Sequence, residues 1–188
     1  IPLMTAIAAK TRRIEVGTGV IDLRYENPLY LAEEAAALDI LADGRLALGV
    51  SRGSPESALR GYEVFGYTGS DDPRGADIAR DKFDRFLRAI EGERIAPGNP
   101  AVVGPGQMLP IEPRSDSLRD HVWWGSATRD SAEWAGRLGL NLMSSTALTE
   151  DAGMPFHELQ AEQILRFRAA YRAAGHKGAP RVSVSQIG

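Results

Sequence analysis

Residues 38–54, LDILADGRLALGVSRGS, decide the fold of this chain. The stretch leaves a predicted helix, passes through a turn and enters an apolar run with almost no polar interruption. A run of this kind is typical of a parallel strand that is covered on both faces. The run ends at Arg52, a permanently charged side chain between Ser51 and Gly53, at the point where a parallel strand leaves its sheet.

Helices and strands alternate along the rest of the chain. IEVGTGV (14–20) predicts a strand, and the next helix should begin at Pro28, with Asn27 as its N-cap, and end at Gly44. Three later helices are expected to end at Gly92, Gly139 and Gly175. Strands are expected further along the chain at HVWWG (121–125), LNLMSS (140–145) and RVSVS (181–185). Five strands that alternate with helices predict a parallel α/β sheet, either a barrel or a doubly wound open sheet. No G-x-G-x-x-G follows a strand, which disfavours the dinucleotide-binding open sheet.

The composition excludes several classes of function. The chain has 188 residues, of which 43% are hydrophobic, and a net charge of −3, so it can form a core but offers no basic surface to nucleic acid. It contains no cysteine, which excludes thiolate chemistry and suits a reducing cytoplasm, the location we predict. The three histidines lack the spacing of metal ligands, so no metal is expected. No apolar run reaches the roughly 20 residues of a membrane span, so no membrane partner is expected.

Two loops that follow predicted strands could hold an anion. Arg52 offers a planar charged fork that suits phosphate oxygens, and the alternative is that it pairs with Glu56 or Glu63. The second loop, GSATRDS (125–131), opens a helix whose free N–H groups attract anions, although Thr128 could simply be an N-cap. Because ligands of parallel sheets bind beyond the carboxyl ends of the strands, the two loops together favour a phosphate pocket.

The run from Asn27 to Ser54, NPLYLAEEAAALDILADGRLALGVSRGS, resembles the signature region of the bacterial luciferase-like flavin-dependent monooxygenases. The resemblance continues upstream in TAIAAKTRRIEVGTGV and downstream in VWWGSATRDSAEWAGRLGLNLMSS. It implies a luciferase-like (β/α)₈ TIM barrel, of which this chain holds roughly the third to seventh strands. We therefore expect residues 1–188 to be a single barrel domain that is incomplete at both ends and part of a longer protein, with an irregular insertion over residues 93–120.

The resemblance also implies a cofactor site. It implies that Arg52 holds the flavin phosphate, that Ser51 lies under the flavin ring, and that the neighbouring Gly53 also belongs to the cofactor site. Ala127, Thr128 and Ser131 would complete the phosphate site. No catalytic residue is assigned, because the strand on which many relatives carry a catalytic histidine would precede Ile1.

The GTGV stretch matches the end of the family's third strand. There the family often has a non-prolyl cis peptide against the flavin ring, so Thr18 and Gly19 are expected to contact the cofactor. We predict that the Thr18–Gly19 peptide is cis, or at least strained. The residues that follow, Asp22, Arg24 and Tyr25, should lie near the substrate pocket, but the resemblance gives them no specific role.

The activity that the resemblance implies is that of a flavin-dependent monooxygenase or oxidoreductase, which uses reduced FMN and O₂ on a small organic substrate. Two alternatives are a deazaflavin-dependent dehydrogenase of the same fold and a non-catalytic flavin-binding relative. A homodimer and a separate flavin reductase are further expectations. The alanine-rich helix LYLAEEAAALDIL (29–41) would allow the close contact that a dimer needs, and its Asp39 is expected to be solvated or structurally paired.

Overall fold

The computed structural model describes residues 1–53, 56–145 and 153–185. Its α-helices are α1 (Pro2–Lys10), α2 (Pro28–Leu41), α3 (Ala76–Ile90), α4 (Pro100–Val103), α5 (Arg129–Arg137) and α6 (Phe156–Ala173). Its strands are β1 (Val16–Gly17), β2 (Ile21–Asp22), β3 (Leu46–Ser51), β4 (Ala96–Pro97), β5 (Met108–Leu109), β6 (Val122–Ser126), β7 (Asn141–Ser144) and β8 (Val182–Val184). Two 3₁₀ helices span Gly61–Phe65 and Leu118–His121.

The main sheet is parallel, as the alternating pattern predicts. Its strands lie in the order β1-β3-β6-β7-β8, and β2 also pairs with β3. Every pair in this sheet is parallel. Residues 93–120 contain α4 and a small antiparallel hairpin of β4 with β5, outside the main sheet.

Local signals in the sequence explain why α2 and β3 form where they do. The Asn27 side chain caps α2 by accepting hydrogen bonds from the N–H groups of Leu29 and Tyr30, and Pro28 is the first helical residue. In β3, side chains on both faces are buried, as expected of a strand that helices cover. The helix begins at Pro28 as predicted but ends at Leu41, before the predicted Gly44, and β3 ends at Ser51, directly before Arg52.

Of the predicted strand over residues 14–20, only Val16–Gly17 form a strand, β1, and a β-bulge separates it from β2 (Ile21–Asp22), which lies beyond the predicted range. Gly17 of β1 pairs with Ala47, and Ile21 of β2 pairs with Val50. Three residues therefore separate the two pairs on this strand, whereas two separate them on β3. One extra residue in a strand defines a bulge, and bulges change the direction of a strand near binding sites.

The expectation of a cis Thr18–Gly19 peptide is wrong. This bond is trans, and within the described residues the only cis peptide is Glu112–Pro113. Gly19 also lies outside the left-handed region, so the expected strain is not there either. Thr18 donates its N–H to the carbonyl of Ala47 at 3.2 Å and its hydroxyl to the carbonyl of Gly49 at 2.7 Å. The bulge directs the chain with ordinary trans geometry and avoids the roughly 3 kcal/mol of a non-prolyl cis bond.

The helix α3 packs its aromatic face on the carboxyl half of the sheet. Phe83 and Phe86 are fully buried. The Phe83 ring lies 5.0 Å from the ring of Trp124 on β6 and 5.6 Å from that of Trp134 on α5. This packing places the loop before α3 above the ends of β3 and β6. Within the part of the chain that the structure describes, no helix has both the length and the apolar character needed to cross a bilayer.

Candidate anion and cofactor site

A cavity of about 320 Å³ lies beyond the carboxyl ends of β3 and β6. Its wall contains most of the residues that the sequence predicted for cofactor binding: Ser51, Arg52, Gly53, Ala127, Thr128 and Ser131. The two predicted loops therefore meet around one space. Thr18 and Gly19, on the neighbouring bulge, are not part of this wall.

Arg52 is a half-buried cation at the edge of this cavity. Burial lowers the pKa of its guanidinium, and the nearby charge of Arg74 lowers it further, although an arginine remains protonated at neutral pH. Within residues 1–53, 56–145 and 153–185, no carboxylate forms an ion pair with Arg52. An anion in the cavity would compensate both unfavourable effects.

The alternative partners of Arg52 are engaged elsewhere. Glu56 accepts a hydrogen bond from the Tyr25 hydroxyl at 2.6 Å and lies 3.4 Å from Arg24. Glu63 pairs with Arg60 at 2.6 Å. The structure therefore does not support a structural ion pair of Arg52 with either glutamate.

Two further arginines in the wall were missed by the sequence reading. Arg74 lies in the loop before α3, where its N–H donates to the Asp72 carboxylate at 2.6 Å. Arg80 lies on α3 with its guanidinium 5.4 Å from the ring centroid of Trp134. Three arginines in the wall outweigh the carboxylates of Asp72 and Asp130. No motif marks Arg74 and Arg80, because their place at the cavity depends on how α3 packs on the sheet.

The first turn of α5 forms another part of the wall. Thr128 is the N-cap, and its Oγ1 accepts a hydrogen bond from the N–H of Ser131 at 3.2 Å. The Ser131 Oγ accepts one from Trp124 Nε1 at 2.8 Å. The capping role of Thr128 is therefore real. Because each hydroxyl still has its own proton to donate, the cap and an anion contact are compatible.

A buried glutamine supports this turn from α6. Gln163 donates from Nε2 to the carbonyl of Thr128 at 3.1 Å, and it accepts at Oε1 from the Ser144 hydroxyl at 2.6 Å. The Ser126 hydroxyl also donates to the Thr128 carbonyl, at 2.8 Å. The network fixes the loop between β6 and α5. Sequence reasoning did not identify Gln163, which resembles any polar position of an amphipathic helix.

Two glycines allow the backbone to pass close to its neighbours. Gly53 has a φ of +88°, and a Cβ there would overlap the carboxylate of Asp22. A Cβ at Gly125 would lie 2.8 Å from Val20 and 3.2 Å from Cβ of Ser51. The bulge, β3 and β6 therefore converge beside the cavity. Within the described residues there is no cluster of His, Asp and Glu that could hold a metal ion.

Comparisons with known proteins assign the family. A family model described as luciferase-like monooxygenase matches residues 1–187. The chain therefore belongs to the luciferase-like monooxygenase family. Limonene 1,2-monooxygenase of Rhodococcus erythropolis is 27% identical over 144 residues, which are 77% of this chain and 35% of that protein.

Two solved structures show the fold. One is the FMN complex of the oxygenating constituent of 3,6-diketocamphane monooxygenase from Pseudomonas putida, with a TM-score of 0.65 and 16% identity over 97% of this chain and 51% of the other. The other is an F420-dependent secondary alcohol dehydrogenase with an F420-acetone adduct. Its TM-score is 0.65, and it is 18% identical over 97% of this chain and 52% of the other. The predicted luciferase-like TIM-barrel fold is confirmed. The chain spans about half the length of these two proteins, and its strands form half of such a barrel.

Proposed function

We propose that the cavity binds the phosphate of FMN and that the protein is a flavin-dependent monooxygenase acting on a small organic substrate. The observation that carries this proposal is Arg52, a half-buried guanidinium without a carboxylate partner among the described residues, in a cavity that also contains the start of α5. Helix N-termini and arginines are the usual partners of phosphate groups in proteins. Because the chain belongs to the luciferase-like monooxygenase family, we assign a flavin phosphate to this cavity.

The residues present fit a phosphate. Arg52 and Arg74 provide positive charge in the wall of the cavity, and Thr128 and Ser131 provide hydroxyl donors. We assign Ser51 and Gly53 to the backbone approach beside the ring, and Thr18 and Gly19 to the bulge that the ring would face. Ala127 is small and leaves room at the start of α5.

The chemistry of the reaction would come from the cofactor. Reduced flavin supplies the electrons that activate O₂, and the protein binds and orients the flavin and limits the access of water. The family relative from Pseudomonas putida is named as an oxygenating constituent, which supports a separate reductase as a partner. The homodimer, the cytoplasmic location and the single-domain organisation of residues 1–188 stay predictions.

A deazaflavin-dependent dehydrogenase is the second candidate. It is supported by the F420-dependent dehydrogenase, which shares the fold with the same TM-score as the FMN protein. Titration of the intact protein with each cofactor distinguishes the two candidates. We expect FMN to bind more tightly than the deazaflavin coenzyme, and the opposite order would favour the dehydrogenase.

Substitution of Arg52 tests the phosphate site directly. One charge-assisted hydrogen bond contributes roughly 1.5–3 kcal/mol, so Arg52→Ala should raise the Kd for FMN about 10- to 100-fold. Riboflavin lacks the phosphate, and its Kd should change little. Arg52→Lys should recover only part of the loss, because lysine keeps the charge without the planar fork. Equal losses for FMN and riboflavin would contradict the proposal.

A further inference from the structure

Arg24 lies buried between the two loops that carry Arg52 and Arg74, and only 5% of its surface is exposed. We propose that Arg24 is a positioning residue, which holds both of these arginines at the phosphate cavity without touching the ligand. Arg24 is not part of the wall of that cavity, but it lines a neighbouring cavity of about 300 Å³ together with Arg52 and Arg74, so we assign its effect on the phosphate to its contacts with these two loops. The inference rests on the proposed function and extends it to a residue for which the family resemblance implied no specific role.

The first contact is with the loop of Arg52. Arg24 donates from Nε and Nη2 to the carboxylate of Asp22, at 3.0 and 2.6 Å. Gly53 packs directly on this ion pair: a Cβ at Gly53 would overlap the carboxylate and lie 2.8 Å from Arg24 Nη2. Since Gly53 follows Arg52, the ion pair determines how close the backbone of Arg52 can come to β2.

The second contact is with the loop of Arg74. Arg24 donates from Nη1 to the carbonyl of Arg74 at 3.2 Å. The Cδ of Arg24 would lie 2.9 Å from a Cβ at Gly75, so the next residue packs on the same side chain. The carbonyl of Arg24 in turn accepts a hydrogen bond from Lys82 Nζ on α3 at 2.6 Å. One guanidinium thus joins β2 to the start of α3.

The surroundings of Arg24 keep it charged and fixed. The hydrogen bonds that Arg24 donates to the Asp22 carboxylate raise the pKa of Arg24 against the opposing effect of burial, and the charge of Glu56 raises it further. Its guanidinium carbon lies 5.8 Å and 5.6 Å from the ring centroids of Tyr25 and Tyr62. A lysine could not reproduce these contacts, because one ammonium lacks the rigid fork that reaches Asp22 and Arg74 at once.

The test is a titration of the intact protein with FMN and with riboflavin, followed by flavin fluorescence. Arg24→Lys should raise the Kd for FMN about 10-fold, which corresponds to roughly 1.4 kcal/mol, and leave the Kd for riboflavin within about twofold. Arg60→Lys is the matched control. Arg60 also stacks on Tyr62, at 5.7 Å, and pairs with a carboxylate, that of Glu63, but it does not contact Asp22 or the carbonyl of Arg74. This control should bind both ligands like the wild type.

A double variant separates positioning from general damage. If Arg24 acts through Arg52 and Arg74, Arg24→Lys should cost less in the Arg52→Ala background than in the wild type. Fully additive losses, or equal losses for FMN and riboflavin, would overturn the inference. If Arg24→Lys binds FMN like the wild type while Arg52→Ala binds FMN more weakly, the inference about Arg24 is overturned but the proposed function is left intact. Wild-type affinity of Arg52→Ala would overturn both.

A second substitution covers the case in which Arg24→Lys does not fold. Asp22→Asn keeps the size of the side chain and removes the charge that holds Nε and Nη2 of Arg24. It should weaken FMN binding about 3- to 10-fold and leave riboflavin binding unchanged, because a charged hydrogen bond becomes a neutral one. An unchanged Kd for FMN in this variant would count against the positioning role.

Discussion

The indole Nε1 of Trp124 donates a hydrogen bond to the hydroxyl oxygen of Ser131 at 2.8 Å and so ties β6 to the first turn of α5. Both residues line the proposed phosphate cavity. Because this bond uses a lone pair of Ser131, the hydroxyl proton is left to point at an anion. An aromatic residue that the sequence suggests only as part of the core therefore orients a group of the site.

Trp124→Phe should weaken FMN binding while keeping most of the core. Phenylalanine retains the ring contacts with Phe83 and Trp134 but cannot donate to Ser131. We expect the Kd for FMN to rise about 3- to 10-fold and the free energy of unfolding to fall by roughly 1–2 kcal/mol. Titration and thermal melting measure the two effects. A loss in Ser131→Ala without any loss in Trp124→Phe would show that the indole does not orient the hydroxyl.

Arg74→Gln should weaken FMN binding through loss of charge. An exposed charge contributes less than a buried one, so we expect an effect of about 2- to 5-fold at low salt. The effect should shrink when the ionic strength rises from about 0.05 M to 0.5 M, because salt screens exposed charges. Arg85→Gln is the control: Arg85 is an exposed arginine on α3 that is not part of the cavity wall. The same loss in both variants would point to a general effect of net charge.

Gly53→Ala should impair both stability and FMN binding. Gly53 has a φ of +88°, and a Cβ there would overlap Asp22, so alanine adds a steric clash to the backbone strain. Gly66→Ala is a control with similar backbone strain, since Gly66 has a φ of +84° but no described atom lies within 4 Å of its Cβ position. We expect a loss of about 1 kcal/mol in the control and about 2–4 kcal/mol at Gly53, measured by urea unfolding. Equal losses would mean that the loop can move away from Asp22.

The parts of the molecule that the sequence predicted are those with local causes. The cap at Asn27 and the buried strand β3 depend on neighbouring residues, and Arg52 and Thr128 lie beside strand ends that can be recognised in the sequence. The bulge beside Thr18 could not be predicted, because it depends on the pairing register with β3. Arg74, Arg80 and Gln163 reach the site only through helix packing, which leaves no local motif: Arg74 and Arg80 through α3, and Gln163 through α6.

A cluster of Asp39, His121, Ser115 and Ser117, at the end of the sheet opposite the cavity, should make the free energy of unfolding depend on pH. Asp39, buried on α2, accepts hydrogen bonds from His121 Nδ1 at 2.8 Å and from the hydroxyls of Ser115 and Ser117 at 2.6 and 2.7 Å. Burial alone would raise the pKa of Asp39, but these hydrogen bonds together lower it. The hydrogen bond to Asp39 raises the pKa of His121. Asp39 is thus a structural partner, one of the two roles that its place on a helix suggests.

The signs of the two shifts define the pH range in which the cluster stabilises the fold. A raised histidine pKa gives stability that is complete below the unfolded value of about 6.5 and is lost as the pH rises through the folded value. A lowered aspartate pKa gives stability that is complete above about 3.9 and is lost as the pH falls through the folded value. The contribution of the cluster should therefore be largest between about pH 4 and 6.5.

His121→Asn should remove the alkaline part of this dependence. We expect the melting temperature of the wild type to fall between pH 6 and pH 9 by several degrees more than that of His121→Asn, since roughly 1 kcal/mol shifts the melting temperature of a domain of this size by about 2–4 °C. His157→Asn is the control, because His157 is exposed at the start of α6 and should leave the wild-type dependence unchanged. Thermal melts at both pH values measure the difference. Parallel curves for the wild type and His121→Asn would show that the bond to Asp39 does not couple protonation to folding.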